Sequence, residues 1–418
     1  MEHVCEATGV GRPEPTDVMS PGMGALEGIR VLEVGLLVQG PQATALLSDL
    51  GADVIKVELS GIGDQARWIL IGPTDMRSAY FTAVNRGKRS VALDLRAADG
   101  AQAFRRIAAT VDVVVSNFKP GTMDAWGLGY GDLSADHPEL IYASGSAFGS
   151  LGPDARREGA DIAGQAAGGL ISTTGVDGDD PTPVGATIAD HIASQHLAAG
   201  IMAALIARGR TGRGQRVEVS LLGSQIWAQA SEYTHFLLSG NQPPRSNNGH
   251  GLVHGAYGIF RTSDGWVALV GVPPPARPAF YQTIDRAHLA TDARFAPILY
   301  TYAIRQELFA ELRDAFLGRT TADWCSVLGP IGVRYAPVRG YAEVVDDPGV
   351  FENGYLRRVE HPELGEITVV GSPLQMSDTP AEPGIAAPEL GQHTEEVLLE
   401  AGYTWDEIAE LHSRNAFG

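Results

Sequence analysis

Residues 185–219 have the sequence GATIADHIASQHLAAGIMAALIARGRTGRGQRVEV, a pattern of helix, turn and strand that returns the chain to a sheet. The run Ile192–Ala207 is rich in Ala, Leu, Ile and Met, and Gly200 is its one helix breaker. Such a run predicts a buried helix. The segment RGRTGRG (208–214) ends this helix, and residues 215–221 are a predicted strand.

Asp190 lies just before the apolar run, and its residue type allows two roles. Asp is a preferred N-cap, because its side chain accepts hydrogen bonds from free N–H groups of the first helical turn. A carboxylate at the positive end of a helix is also suited to be a nucleophile. The local spacing favours capping and leaves the nucleophile open.

Short apolar strands alternate with helices ahead of this stretch. The predicted strands are Ile29–Val34, Asp53–Glu58, Ser90–Leu95, Val111–Ser116 and Leu140–Ser144, with helices at Pro41–Leu50 and Ala97–Ala109. This alternation predicts an α/β fold with a mostly parallel, doubly wound sheet.

The first turn of the predicted sheet argues against a dinucleotide cofactor. Glu58 ends the second strand, where an acid often binds a ribose. However, the turn GLLVQGPQ (35–42) lacks the closely spaced glycines of G-x-G-x-x-G, which admit a pyrophosphate. Nicotinamide or flavin binding is therefore not expected.

The composition of the chain changes near residue 240. Residues 240–251 (GNQPPRSNNGHG) are a predicted loop, and two strands joined at Ser263-Asp264-Gly265 follow it. We predict a flexible N-terminal extension (1–25), a large Rossmann-like domain (26–225), a linker helix (226–244), a small α+β domain (245–350), and a return linker with the C-terminal part of the large domain (351–418).

The charge of the chain limits its partners. The 418 residues include 31 Lys and Arg against 50 Asp and Glu, a formal net charge of −19. Nucleic acids and anionic membranes need a basic face, so neither partner is expected. The two cysteines, Cys5 and Cys325, fit a reducing cytoplasm, and we find neither a transmembrane run nor a signal-peptide pattern.

Two local clusters nevertheless suit an anionic ligand. Residues 85–89 (NRGKR) are the densest basic cluster, and residues 117–121 (NFKPG) follow the fourth predicted strand at its carboxyl end. Cations and glycine-freed N–H groups suit phosphates, and open α/β sheets bind ligands at that edge. Solvated surface turns are an equal alternative on spacing alone.

No metal site is predicted. His250 and His254 have a metal-like spacing only if they are helical, and the glycines around them oppose a helix.

A segment at Glu158–Asp161 opens another helix, for which Asp161 is a candidate N-cap.

Taken together, these stretches resemble the class III coenzyme A transferases, also called the CaiB/BaiF family. The resemblance extends from Leu26 to about Leu411. The matching stretches are LEGIRVLEV (26–34), GPQATALLSDLGADVIKVE (40–58), NRGKRSVALDL (85–95), NFKPGTMDAWGLG (117–129), FGSLGP (148–153), the Asp190 helix with TGRGQRVEVSLL (211–222), FRTSDGWVAL (260–269) and LGQHTEEVLLEAGYTWDEIAEL (390–411).

The resemblance implies a fold, an assembly and a mechanism. Each chain would be an open ring of a large and a small domain, and two rings would interlock as a homodimer. Asp190 would be the catalytic carboxylate, which attacks an acyl-CoA thioester and becomes first a mixed anhydride and then an aspartyl-CoA thioester. The CoA thioester is then a substrate, and no cofactor is bound permanently.

The resemblance also implies site residues. Contacts to CoA are implied at Gln39, Arg86, Lys88, Asn117, Phe118 and Lys119, with Asp161 as an acid near the site and Asn248, Gly249 and Gly251 on a loop over it. The racemase branch of the family has a His where Ala160 stands here. Because a racemase needs two bases, CoA transfer is favoured, and an acyl-CoA racemase or isomerase that uses Asp190 as base is the alternative.

Overall fold

A computed structural model describes residues 24–295, 302–361, 364–384 and 386–414, so the predicted N-terminal extension lies almost wholly outside the described residues. Its centre is a parallel sheet of six strands in the order β3-β2-β1-β4-β5-β6. The strands are β1 Arg30–Val34, β2 Asp53–Glu58, β3 Arg89–Ala92, β4 Val113–Ser116, β5 Ile141–Ser146 and β6 Arg216–Ser220. The predicted α/β class is confirmed.

The order of the strands reverses between β1 and β4. Val31 of β1 pairs with Val54 of β2 on one side and with Val113 of β4 on the other. All three valines are buried, as expected for strands covered on both faces. Loops after β1 and β4 therefore diverge to opposite faces and leave a crevice at their carboxyl ends, where doubly wound sheets bind ligands.

Ten helices of the described chain belong to this part of the fold. They are α1 Gln39–Asp49, α2 Ala79–Asn85, α3 Ala98–Ala108, α4 Thr122–Ala125, α5 Tyr130–Ser134, α6 Asp161–Ala167, α7 Leu170–Thr173, α8 Ile188–Thr211, α9 Leu221–Ala228 and α10 Ala230–Ser239. The longest, α8, buries Leu197, Ala198, Ile201 and Ala204 against the sheet, a helical spacing. Gly200 lets α8 approach β6, since a Cβ there would lie 2.7 Å from the side chain of Val217.

A second, antiparallel sheet has the order β7-β8-β9. Its strands are β7 Tyr257–Arg261, β8 Trp266–Val270 and β9 Tyr335–Pro337, and its helices are α11 Arg277–Thr283, α12 Tyr302–Phe316 and α13 Thr321–Leu328. Stacked and edge-on aromatic rings of Phe260, Phe309, Phe316 and Trp324 fill its core. The hairpin predicted at residues 263–265 is confirmed.

The last part of the chain returns to the large sheet. It contains α14 Tyr341–Val345, α15 Pro348–Glu352, the hairpin β10 Leu356–His361 and β11 Gly365–Val370, α16 Thr394–Glu400 and α17 Trp405–Ser413. The Thr394 Oγ1 accepts a hydrogen bond of 3.0 Å from the Ala92 N–H, so the tail covers the edge strand β3. The predicted domain limits stay predictions.

Two local predictions were wrong. The linker helix expected over residues 226–244 is not continuous, because α9 and α10 meet at Gln229. Gln229 leaves helical geometry at ψ 32°, and its buried side-chain amide donates to the Gly168 carbonyl, a tertiary contact that local spacing does not reveal. Strand β10 was missed, because its sequence LRRVEH carries four charged or titratable side chains on a short hairpin.

Candidate active site

Asp190 is the third residue of α8, so the prediction that it caps this helix was wrong. The N-cap position belongs to Thr187, whose side chain makes no capping hydrogen bond. Only 9% of Asp190 is exposed. In the part of the chain that the structure describes, its carboxylate accepts no hydrogen bond. A buried carboxylate without a partner is costly, and such groups are typical of functional sites.

The cap of α8 comes instead from another helix. The Asp161 Oδ1, at the start of α6, accepts hydrogen bonds from the N–H groups of Ala189 at 2.7 Å and Asp190 at 3.3 Å. Its Oδ2 accepts from the Gln165 Nε2 at 2.6 Å. Its sequence position suggested that Asp161 caps its own helix, α6, and that prediction was wrong. Asp161 does lie beside Asp190.

Burial and, to a smaller extent, the negative charge of Asp161 together raise the pKa of Asp190 to about 7. At neutral pH the side chain is therefore a mixture of acid and carboxylate. The carboxylate that does form is poorly solvated, which makes it a better nucleophile than an exposed aspartate.

We expect Asp161→Asn to move the pH profile of the enzyme to lower pH. Only ionised Asp190 can attack, so kcat/KM should rise with pH through the pKa of the free enzyme, near 7. Removing the charge of Asp161 lowers that pKa, and burial, the larger cause, remains. Rates of acyl-CoA turnover from pH 5.5 to pH 8.5 test this, and an unchanged midpoint would contradict the electrostatic coupling.

Asp190 lines a cleft of about 430 Å³ at the carboxyl ends of β1 and β4. The structure brings five of the predicted site residues together there, namely Gln39, Asn117, Phe118, Lys119 and Asp190. They come from the first turn of α1, the loop after β4 and the first turn of α8. The crevice at the reversal of strand order thus contains the reactive carboxylate.

Hydrogen bonds within the chain occupy some of these side chains. Both ends of the Asn117 side-chain amide bond to Leu36, because its Oδ1 accepts from the Leu36 N–H and its Nδ2 donates to the Leu36 carbonyl, both at 2.8 Å. The Gln39 Nε2 donates to the Ser146 carbonyl at 3.2 Å. Lys119 forms an exposed ion pair of 2.7 Å with Glu158, and water or a ligand can replace that partner easily.

An apolar cavity of about 360 Å³ adjoins the cleft. The two share Leu36, Gln65, Phe118 and Trp126 as lining residues. The rings of Phe118 and Trp126 meet edge-on with centroids 5.6 Å apart, and they form the wall between the two spaces. A long ligand with an apolar part could therefore extend from one space into the other.

The structure places Arg86 and Lys88 away from the cleft. The Arg86 Nη2 pairs with the Asp49 Oδ2 at 2.6 Å, and the Lys88 Nζ pairs with the Glu33 Oε2 at 2.6 Å. Both cations are buried, so they are neither solvated turn residues nor free to meet a phosphate. Contact with CoA would require either of them to leave a buried carboxylate, and we omit both from the proposed site.

The loop with Asn248, Gly249 and Gly251 is also absent from the lining of this cleft. It packs on the small sheet, where the Asn248 carbonyl accepts from the Ile259 N–H at 2.6 Å. A Cβ at Gly249 would lie 2.1 Å from the Arg305 guanidinium, and one at Gly251 would lie 2.6 Å from the Pro244 carbonyl oxygen. Within one chain these glycines therefore permit close packing of the loop.

Arg157 and Glu158 also line the cleft, and sequence reasoning missed both as site residues. The Arg157 guanidinium rests over the Phe148 ring at 4.5 Å, and its ion pair with Asp154 is long, at 3.4 Å. The paired arginines at 156 and 157, directly ahead of the predicted helix start, are the signal that could have identified them.

Other ligand classes find no site in the described residues. Glu58, considered above for ribose binding, accepts two hydrogen bonds of 2.8 Å from Arg67 and one of 2.7 Å from the Ser90 Oγ. His250 pairs with Glu232 at 3.1 Å, and residues 24–295, 302–361, 364–384 and 386–414 contain no cluster of three His, Cys, Asp or Glu suited to a metal ion. Within the same ranges, no helix combines the length and apolarity needed to span a membrane.

A doubly wound sheet whose crevice contains a buried carboxylate that accepts no hydrogen bond within the described residues is typical of an α/β enzyme. The sequence model of CoA-transferase family III matches residues 26–394, and the chain belongs to that family. The protein is thus a class III CoA-transferase, as the resemblance implied.

Individual relatives agree with this assignment. Human succinyl-CoA:glutarate CoA-transferase is 32% identical over 90% of this chain and 85% of its own length. Succinyl-CoA:mesaconate CoA-transferase of Haloarcula hispanica is 35% identical over 91% of this chain and 97% of its own. The crystal structure of a CaiB/BaiF family protein from Brucella suis has a TM-score of 0.79 and 32% identity, covering 91% of this chain and all (100%) of that one.

Proposed function

We propose that this enzyme moves CoA from an acyl-CoA to a free carboxylic acid through covalent intermediates on Asp190. The Asp190 carboxylate attacks the thioester carbonyl, and the C–S bond breaks to give an aspartyl acyl anhydride and CoA thiolate. The thiolate attacks the aspartyl carbonyl, which releases the donor acid and leaves an aspartyl-CoA thioester. The acceptor carboxylate attacks that carbonyl and displaces CoA thiolate, which gives a second anhydride between Asp190 and the acceptor. The thiolate then attacks the acceptor carbonyl of this anhydride, forms the new acyl-CoA and releases the Asp190 carboxylate.

The observation that carries this proposal is the state of Asp190. It is buried and unpartnered among the described residues, its pKa is raised to about 7, and it lies in the cleft at the carboxyl edge of the sheet. A carboxylate attacks a thioester well only when it is desolvated and oriented. Asp190 meets the first condition before any substrate binds.

The adjoining apolar cavity supports CoA as the moving group. CoA joins an adenine base, whose flat aromatic faces can stack on apolar side chains, to a flexible arm that ends in the reactive sulfur. The cavity beyond Phe118 and Trp126 suits an aromatic or apolar part, and the cleft contains the carboxylate that must meet the sulfur end. Lys119 lines the cleft and can exchange Glu158 for a phosphate. We propose Gln39, Phe118 and Lys119 as CoA contacts.

For the acids, we propose dicarboxylates of four or five carbons. The relatives described above are named for succinyl-CoA as donor and for glutarate or mesaconate as acceptor. A second carboxylate on the acyl group needs a cation within the cleft. Arg157 lines the cleft and has a long, exposed contact as its ion pair, so its planar fork can turn to such a group.

We further propose that two chains form the interlocked homodimer in the cytoplasm. Large apolar side chains are exposed on consecutive helices, among them Trp227 of α9 and Leu237 and Leu238 of α10, which are 70%, 77% and 84% exposed. Such a patch is typical of an interface. The partner's small domain could also bring the loop with Asn248, Gly249 and Gly251 over Asp190. Sedimentation at the mass of a single 44.2 kDa chain would contradict this assembly.

The proposal is tested by mass spectrometry of the covalent intermediate. The protein is incubated with succinyl-CoA, glutaryl-CoA and acetyl-CoA in turn, quenched in acid and digested. We expect a CoA adduct on the peptide that contains Asp190, formed most from a dicarboxylic donor and absent in Asp190→Asn. A wild-type enzyme that transfers CoA without any such adduct would contradict the covalent route.

The same incubations in D₂O separate transfer from racemisation. A racemase that uses Asp190 as base would exchange the α-proton of a branched acyl-CoA for deuterium. We expect no exchange. Ala160 is not a base, and among the described residues that line the cleft only Glu158 is a further candidate base beside Asp190. Glu158 is exposed and paired with Lys119. Deuterium in recovered acyl-CoA would overturn the transferase route.

A further inference from the structure

The turn between β1 and α1 has a backbone conformation that side chains rarely adopt. Leu37 has a φ of +62°, in the left-handed region that favours glycine. Such a residue persists only where its surroundings fix it, and this is common next to active sites. Here the Leu37 N–H donates a hydrogen bond of 2.9 Å to the Asp64 Oδ1.

The two preceding residues are fixed in the same way from other elements. Both backbone groups of Leu36 bond to Asn117 after β4. The Gly35 carbonyl accepts a hydrogen bond of 2.9 Å from the Lys56 Nζ on β2. Three consecutive residues of the turn are thus held by three different side chains, and the conformation is over-determined.

Asp64 connects the turn to buried charges. It is fully buried, and its Oδ1 also accepts a hydrogen bond of 2.8 Å from the Ala66 N–H. Its Oδ2 lies 2.9 Å from the Lys56 Nζ, an ionic contact without hydrogen-bond alignment. Lys56 in turn pairs with Glu33 at 2.7 Å. Asp64 is therefore fixed on both oxygens and can act as a rigid acceptor for Leu37.

The turn also forms one wall of the reactive cleft. Leu36, Leu37, Val38 and Gln39 line the same cleft as Asp190. Val38 is the N-cap residue of α1 and gives no side-chain cap, so the first N–H groups of α1 keep their donor capacity. The buried carboxylate of Asp190, which accepts no hydrogen bond within the described ranges, lines the same cleft as this end of α1, and a tetrahedral intermediate formed there would need N–H donors.

We propose that Asp64 is a positioning residue of the Asp190 site. By holding Leu37 in the left-handed conformation, it fixes the N-terminus of α1 and the side chain of Gln39 in the cleft where acyl transfer occurs. The proposal rests on the proposed function of Asp190. Asp64 touches no substrate itself and acts through the backbone of the turn.

A pair of substitutions tests the role in catalysis. We expect Asp64→Ala, which removes the oxygen that accepts from the Leu37 N–H, to lower kcat of CoA transfer at least about tenfold, with a change in KM for acyl-CoA of less than about threefold. Glycine adopts the left-handed conformation without strain, so adding Leu37→Gly should recover at least about threefold of that kcat. The substitution of Asp64 should also lower Tm, and adding Leu37→Gly should not restore it, because Lys56 and Ala66 still lack the Asp64 carboxylate. A purely structural role predicts no recovery, and that result would overturn the proposal.

Two further measurements apply if Asp64→Ala does not fold. Leu37→Val keeps an apolar side chain but disfavours the left-handed region, and we expect it to lower kcat at least about tenfold as well. Wild-type kcat in this variant would overturn the proposal. Asp49→Asn is the matched control, since it removes a buried ion pair with Arg86 that does not touch the turn. It should lower Tm and leave kcat unchanged.

Hydrogen exchange separates this proposal from the proposed function. Asp64→Ala, or Leu37→Val in its place, should increase exchange of the peptide that contains residues 35–40 at least about tenfold, and Asp49→Asn should not. If the wild-type protein transfers no CoA but this exchange changes as expected, the proposed function fails and the fixing of the turn by Asp64 stands. Unchanged exchange together with unchanged kcat would refute Asp64 as a positioning residue.

Discussion

Asp190→Asn is expected to abolish CoA transfer, with a fall in kcat of at least about 10³-fold for any donor. The amide has the shape of the carboxylate but cannot attack a thioester. The variant should still bind CoA, because Phe118 and Lys119 are unchanged. Turnover by liquid chromatography and CoA binding by calorimetry test the two halves of this prediction. Asp136→Asn, at an exposed position outside the cleft, is the control and should keep wild-type kcat.

The same substitution should stabilise the fold at alkaline pH. A carboxyl whose folded pKa is raised contributes stability below its unfolded pKa, and this is lost as pH rises through about 7. The rise from 3.8 to about 7 limits the cost of ionised Asp190 to ~4 kcal/mol. We therefore expect a higher Tm for Asp190→Asn at pH 8 and a smaller difference at pH 5. An inactive variant with a lower Tm at pH 8 would indicate damage to the fold instead.

Of the substitutions described here, Glu33→Gln is expected to cause the largest loss of stability. The free energy of unfolding should fall by about 3–5 kcal/mol. Glu33 is fully buried, with its Oε1 at 2.7 Å from the Lys56 Nζ and its Oε2 at 2.6 Å from the Lys88 Nζ. Thr44 donates a third hydrogen bond of 2.6 Å. Removing the carboxylate leaves Lys88 buried without a contacting anion among the described residues. A buried cation in that state costs far more free energy than the intact ion pair does.

The pKa values of this cluster support its dependence on Glu33. Burial acts to raise the pKa of Glu33, but the charges of Lys56 and Lys88 outweigh it and hold the pKa near 2. This lowered pKa contributes stability above the ordinary value of 4.5, and that contribution is lost only as pH falls through about 2. Burial, the larger effect at Lys88, lowers the pKa of that side chain to about 8.

Urea unfolding at pH 7, followed by circular dichroism, measures the effect of Glu33→Gln. Glu396→Gln is the matched control, because its ion pair with Arg89 is exposed and Arg89 keeps Asp53 and Glu400 as partners. We expect a change within about 0.5 kcal/mol for the control. Equal midpoints for the two variants would contradict the role of Glu33 at the centre of the cluster.

Most of the large sheet could be predicted from the sequence. Strand β2 has the predicted bounds, and each end of β1, β4 and β5 differs from the prediction by two residues or fewer. Their Val- and Ile-rich runs are local signals that need no partner to be recognised. The break at Gln229 could not be predicted in this way, because it depends on the Gly168 carbonyl, 61 residues away.

The same distinction between local signals and distant contacts applies to the site residues. Asp190, Gln39, Asn117, Phe118 and Lys119 were identified by their positions at element ends and by family resemblance, and the fold brings them to one cleft. The basic cluster was misleading, since Arg86 and Lys88 are strong signals by charge alone. Their acids, Asp49 and Glu33, lie 37 and 55 residues away and carry no mark in the sequence.

By itself, the sequence determined the α/β alternation, the absence of a dinucleotide motif and the residue type at the head of α8. These are properties of neighbouring residues, whose periodicity and turn chemistry are local. Only the tertiary structure decided that Asp161, not Asp190, caps α8, and that Asp190 is buried with no hydrogen-bond partner among the residues that the structure describes. Capping, ion pairing and desolvation depend on which distant groups share a space, and packing of the whole chain sets that.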